Sequence, residues 1–173
     1  GMSKAGIFKY YKNKQELFIA VVDKFWFSTQ NPRNKFTETN GTFAEFIDEY
    51  VRGVQRTMDM LGDLIGAERE KVAQGKFTYH AQYFHFLFQL LQYDPDAKEK
   101  LRNLVDGDYA YWRAAIQRAI ATGELREDVD VEDAVVMFRQ VYMGLSFEMA
   151  FMGGLNTQRL AKHLHAVYSL LKR

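Results

Sequence analysis

The sequence predicts an all-α fold, and three observations carry that expectation. Apolar residues recur at spacings of three and four through most of the chain, the period of a helix with one buried face. Strand-like alternation is scarce, and only two prolines, Pro32 and Pro95, stand in 173 residues to interrupt helix. Finally, a Ser, Thr, Asp or Asn stands just ahead of most apolar stripes, where its side-chain oxygen can accept the free N–H groups of a first turn.

At the N-terminal end, Ser3 is placed to cap a short helix through Lys4, Ala5, Gly6, Ile7, Phe8, Lys9, Tyr10 and Tyr11. Asn13 caps a second helix, with Glu16 three residues on to answer the cap. Leu17, Phe18, Val21, Val22 and Phe25 give that helix one apolar face as far as Phe27. Asn31-Pro32 and Asn40-Gly41 bracket a polar loop.

Thr42 with Glu45 forms a second capping box, and Phe43, Phe46, Ile47, Tyr50, Val51, Val54, Met58 and Leu61 hold a stripe behind it. Gly62, Gly66 and Gly75 predict a broken helix or a turn over 62–76. From Phe77 to Tyr93 the chain is apolar or aromatic nearly all round, which predicts a helix surrounded by protein or lining a cavity.

Asp94-Pro95 opens the next helix as cap and first helical residue, and Gly123 stops it. Asp130 caps a helix from Val131 to about Met152 that carries two apolar stripes. Val131, Ala134, Val135, Phe138, Tyr142, Leu145 and Met149 make one; Met137, Met143, Gly144, Phe147, Ala150 and Phe151 make the other. Gly153-Gly154 end it, and Asn156 or Thr157 caps a last helix with Leu160, Leu164, Val167, Tyr168 and Leu171 facing inward.

Composition narrows the chemistry. A chain of this length is close to one domain and buries a core without staples. It has no cysteine, so neither disulfides nor thiolate chemistry, which fits a reducing cytoplasm. No apolar run approaches the ~20 residues of a membrane span, and no signal peptide opens the chain. The net charge of +1 is unevenly spread: residues 1–36 carry +5 and the remainder −4. A polyanionic partner feels that basic end and not the total.

The run Met2, Ser3, Lys4, Ala5, Gly6, Ile7, Phe8, Lys9, Tyr10, Tyr11, Lys12, Asn13, Lys14 and Leu17 resembles the recognition half of the helix-turn-helix of the tetracycline-repressor (TetR) family of transcription regulators. The run Gly-Glu-Leu-Arg-Glu-Asp from Gly123 also resembles that family's linker between the long central helix and the first dimer helix. The resemblance implies a TetR-type helical bundle that binds a ligand and dimerises, preceded by a helix-turn-helix. The family's first two helices would precede this run. The expectation is therefore an N-terminally truncated helix-turn-helix, 2–27, followed by a regulatory domain, 42–173.

On the same resemblance, Ser3, Lys4, Tyr10 and Lys14 fall where the family contacts phosphates, and Gly6, Phe8 and Lys9 fall nearer the base edges. The family usually has Tyr where Phe8 stands, and a hydroxyl residue or Ala where Gly6 stands. Ile7 and Tyr11 fall at its core positions.

Several aromatics are candidates for a ligand cavity among the central helices: Tyr79, Tyr83, Phe84, Phe88, Tyr109, Trp112, Tyr142 and Phe147. Each buried Tyr hydroxyl needs a partner, and a pocket is mostly apolar with a few orienting polar groups. A plain aromatic core is the competing reading of the same residues. The second stripe on 131–152 predicts a homodimer through the last two helices, with Phe138, Leu145, Leu164 and Tyr168 as interface candidates.

No metal or cofactor site is expected: His80 and His85 lie five apart and His163 and His165 two apart, so neither pair shares a helical face. No catalytic motif of nucleophile, phosphate loop or zinc helix occurs. The function expected is a TetR-type regulator, by family custom a repressor released by a small hydrophobic effector. Its partners would be operator DNA, bound weakly without the preceding helices, the effector and a second copy of itself. The alternatives are a dimeric small-molecule-binding bundle that has lost DNA binding through the truncation, and an enzyme acting on an apolar substrate.

Overall fold

The structure is a computed structural model and describes residues 10–37, 41–64 and 79–173; of 63, 64 and 79–82 it describes the backbone only. Among those residues the architecture is helical, with one isolated bridge, Leu125 to Lys172, as its only strand-like pairing. We number the helices α1 Lys14–Val21, α2 Phe27–Gln30, α3 Phe43–Leu64, α4 Tyr79–Tyr93, α5 Ala97–Ala121, α6 Val131–Ala150 and α7 Thr157–Leu171. A π turn, Val22–Trp26, makes α1 and α2 one continuous rod.

The caps read from sequence form. Asn13 Oδ1 accepts the Glu16 N–H at 2.8 Å, and the Glu16 carboxylate reaches back to the Lys12 N–H at 2.8 Å. Thr42 and Glu45 answer each other at 2.8 and 3.2 Å. Asp130 caps α6 through the Asp133 N–H, and Asn156 caps α7 through the Arg159 N–H, both at 2.9 Å. Gly123 takes φ +76, the left-handed conformation that lets the chain leave α5.

Four expectations shift. The 13–27 helix does not bury a face of Val21 and Phe25, which are exposed; it buries Val22 and Trp26. The cause is the π turn, which adds a residue to the turn and rotates the stripe to spacings of four, Phe18 to Val22 to Trp26. Helix α5 starts at Ala97, with Asp96 at its N-cap, because Asp94 closes a turn on the Asp96 N–H at 3.0 Å instead of capping. Helix α3 runs through Gly62 to Leu64, and the rest of 62–76, from residue 65 on, lies outside the described residues. Helix α4 is not enclosed all round: Phe88, Leu91 and Tyr93 are exposed while Leu90 is buried.

The main core lies between α3, α5, α6 and α7. Trp112 stands at its centre, stacked on Phe138 at 4.8 Å and 7°, with Phe46 and Tyr50 edge-on at 5.1 and 4.9 Å. The first stripe of α6 supplies this core through Val135, Phe138 and Leu145. The second stripe stays outside at Met137, Phe147 and Phe151. A smaller cluster of Val22, Trp26, Leu90 and Ala97 joins the α1–α2 rod to α4 and α5.

The segment after Pro32 is no plain polar loop. It makes a short 3₁₀ turn, Pro32–Asn34, then sends Lys35 and Phe36 into the protein. Phe36 stacks flat on Tyr111 at 4.8 Å. Gly53 makes room for it: a Cβ there would lie 2.0 Å from the Lys35 carbonyl oxygen.

Candidate functional site

A cavity of about 40 Å³ opens between α3, α4 and α6 at the end of α2. Val54, Thr57, Met58 and Leu61 come from α3, Tyr83 and Phe84 from α4, Tyr142, Met143 and Ser146 from α6, and Gln30 from α2. The spacings explain the lining: 54, 57, 58 and 61 share one face of α3, and 142, 143 and 146 one face of α6. That volume holds a few waters, against the roughly 150 Å³ that admits benzene. Anything larger must displace Met58 or Met143, the most adaptable of the walls.

Behind the Tyr142 wall sits a buried charged cluster. Asp108 Oδ2 lies 3.3 Å from Arg139 Nε and 3.8 Å from Lys35 Nζ. All three residues are more than nine-tenths buried. The Arg139 guanidinium and the Lys35 ammonium both stand over the Tyr142 ring, at 5.5 and 5.7 Å from its centroid. The trio and its neighbours are incompletely bonded: Asp108 Oδ1 and Arg139 Nε and Nη1, and beside them Ser146 Oγ and Tyr50 Oη, find no hydrogen-bond partner among the described residues.

This surrounding acts on the tyrosines. Burial holds the Tyr50 hydroxyl well above its ordinary 10.0; Tyr142 and Asp108 push the same way, and Arg139 pulls down against them. Tyr83 is raised likewise, by burial first and then by Tyr142. Both phenols stay protonated, so neither balances a cation.

Of the aromatics singled out in the sequence, Tyr83, Phe84 and Tyr142 meet at the cavity. Trp112 is enclosed in the core, because its ring sits among five other aromatics, Phe36, Phe43, Phe46, Tyr50 and Phe138. Tyr109 packs on the same core, and Phe88 and Phe147 are turned outward. The side chain of Tyr79 lies outside the described residues. Gln30, Thr57, Met143, Ser146 and the charged trio were not read from sequence. The charged residues sit on separate elements with no common spacing, so only the fold joins them.

Of the interface candidates, Phe138, Leu145 and Leu164 are buried within the chain itself, since they belong to the inner stripes. Tyr168 is half-buried and donates to Glu124 at 3.0 Å. On the outer stripe Val136, Met137, Phe147 and Phe151 are exposed, and a Cβ at Gly144 between them would meet nothing within 4 Å.

At the other end, Tyr10 is exposed and Lys14 opens α1 as an exposed residue; Tyr11 is half-buried. Ser3, Lys4, Gly6, Phe8 and Lys9 lie outside the described residues. Three contacts tie this end to α4: Gln15 Nε2 donates to the Tyr93 carbonyl at 2.6 Å, and Phe18 packs on Phe86 at 5.4 Å and on Tyr93 at 6.2 Å. Trp26 continues the contact, 5.7 Å from Tyr83 and 6.0 Å from Phe86. His165 bonds Asp48 at 2.7 Å. No described helix is long and apolar enough to cross a membrane.

Comparison with known proteins agrees with this architecture. The tetracyclin repressor-like C-terminal domain matches residues 54–164, more than half of the chain, from the middle of α3 into α7. No curated protein and no solved structure matches. The matched span holds nearly all of the cavity lining, both stripes of α6 and the linker at Gly123, and through it the chain belongs to the tetracycline-repressor family of regulators.

Proposed function

We propose that the protein is a DNA-binding transcriptional regulator, a repressor released when a small effector occupies the cavity between α3, α4 and α6. The observation that carries this reading is the double duty of α4. Its Tyr83 and Phe84 line the cavity, and its Phe86 and Tyr93 hold Phe18 and Gln15 of the rod that begins at Lys14. An effector wider than the present cavity pushes on α4, and α4 cannot shift without moving α1. The ligand thereby favours one placement of the DNA-facing end over another, as coupling between two sites requires.

The basic residues Lys4, Lys9 and Lys14, with Ser3 and Tyr10, contact phosphates or bases in this reading, and Gly6 and Phe8 lie against the base edges. Residues 2–27 are then the DNA-facing segment and 42–173 the regulatory domain. A C2 homodimer sets two such ends at the spacing of a palindromic operator. The outer stripe of α6 supplies the dimer contact, with Gly144 letting the two backbones approach.

The test is fluorescence anisotropy on labelled duplexes from the DNA flanking the protein's own gene, at one fixed salt concentration. Tighter binding to one of those duplexes than to a scrambled duplex supports the reading. Equal binding to both leaves this chain only a polyanion-binding basic end and overturns sequence-specific recognition by residues 2–27. Phe86→Ala should leave DNA affinity intact and abolish its response to any ligand that releases the native chain.

A further inference from the structure

The cavity described above carries more information than its apolar walls. Two buried cations, Lys35 and Arg139, face one buried carboxylate, Asp108, which leaves one positive charge uncompensated among the described residues. The neighbouring tyrosines do not supply the missing negative charge, since burial keeps Tyr50 and Tyr83 protonated. An unpaired buried charge is costly, and buried polar atoms are nearly always bonded. Here Arg139 Nη1, Tyr50 Oη and Ser146 Oγ are all buried donors with no partner among the described residues, and Ser146 lines the cavity.

The geometry also supplies a path. Tyr142 is the wall of the cavity and the ring over which both cations stand. Turning that ring aside opens the cavity onto the cations. Arg139 is poised to respond, because its Nε lies 3.3 Å from Asp108 without an aligned hydrogen bond.

We propose that the effector is a monocarboxylic acid with an apolar body, its carboxylate paired with Arg139 and Lys35 and its body lying among Val54, Met58, Leu61 and Phe84. This rests on reading the bundle as an effector-binding domain. One surplus charge matches a monoanion, and the planar guanidinium fork matches a carboxylate in two parallel bonds. Ser146 and Tyr50 carry buried hydroxyls with no partner among the described residues, which are free to complete that shell. The rest of the lining is apolar apart from Gln30, Thr57 and the Tyr83 and Tyr142 hydroxyls, and Thr57 is already bonded to the Gly53 carbonyl at 3.0 Å.

The probes are two matched pairs, 4-phenylbutanoate with its amide and octanoate with its amide. Each is titrated into the full chain by calorimetry and by thermal unfolding. The acids should bind at least about tenfold more tightly than the amides, the order expected for a charged partner in a buried pair. Lys35→Met and Arg139→Gln should each weaken the acids by about tenfold or more and leave the amides unchanged. Lys35→Met should also raise the unfolding temperature of the free chain, because Asp108 and Arg139 then balance one to one; this readout stands even if Arg139→Gln does not fold.

Amides binding as well as acids, or acid affinity indifferent to Lys35→Met, would overturn the acid and leave the bundle a ligand-binding domain. If neither class binds at millimolar concentration, the acid and the effector cavity fall together.

Discussion

The Glu124 carboxylate accepts the backbone N–H of Phe43 at 2.7 Å, eighty-one positions back in the chain. It also takes the Ala44 N–H at 3.3 Å and the Tyr168 hydroxyl at 3.0 Å. One side chain from the α5–α6 linker thus caps α3 and pins α7. The N-terminus of α3 prefers a negative charge, and Phe43 beneath it is fully in the core.

Glu124→Ala should therefore cost about 2 kcal/mol in urea unfolding, as a lost cap and a partly buried charge-assisted bond together do. Tyr168→Phe, which removes one bond and leaves the cap, should cost less than half as much. Equal losses in the two variants would show that the cap contributes nothing.

Two tryptophans allow the cavity to be watched directly. Trp26 lies 5.7 Å from Tyr83 on the cavity wall, whereas Trp112 is enclosed by the core. A ligand that displaces Tyr83 should quench or shift the emission of Trp26. Trp26→Phe should abolish the change and Trp112→Phe should preserve it. The opposite pattern would place the ligand in the main core.

How much of this was legible in the sequence depends on the range of the interaction. The caps at Asn13, Thr42, Asp130 and Asn156 are local, and each forms where the sequence puts it. The two stripes of α6 were legible too, but not which one faces inward, because periodicity fixes the angle between faces and not their partner. Trp112 was read as a cavity wall since an aromatic at helical spacing has the same signature in a core as in a pocket. The Lys35–Asp108–Arg139 cluster had no signal at all: a lysine in a polar loop reads as solvated, and the close pass of Lys35 along Gly53 exists only in the fold.

Alkaline stability follows from Tyr50. Its hydroxyl is fully buried, has no hydrogen-bond partner among the described residues, and titrates well above its ordinary 10.0 because burial disfavours the phenolate. A folded-state value above the unfolded one means that the folded chain holds the proton longer. Stability is then at its full level below pH 10 and falls as the pH rises past it. Tyr50→Phe should flatten the fall in unfolding temperature between pH 9 and 11, while at pH 7 its effect should stay within about 1 kcal/mol, since no bond is lost. An unchanged alkaline slope would assign the fall to Tyr83 instead.

The last prediction concerns the outer stripe of α6. Val136, Met137, Phe147 and Phe151 are exposed along one side of the helix, Phe147 packs edge-on against Phe84 and Phe151 at 5.2 Å, and Gly144 leaves open space midway. Exposed apolar side chains gathered on one side of a helix mark an association site, and a two-fold axis lets one helix meet its own copy. Sedimentation at micromolar concentration should show twice the 20.2 kDa of one chain. Phe151→Glu should return the protein to the monomer, since a charge facing its own symmetry mate is repelled and unsolvated together. Gly144→Leu should weaken the dimer with little effect on the fold, because a Cβ there has nothing within 4 Å in its own protomer and the side chain would meet the partner's backbone. Phe138→Leu, made on the inner stripe, should lower stability and leave the association constant of the folded chain unchanged. A dimer that survives Phe151→Glu and Gly144→Leu would place the interface off this stripe.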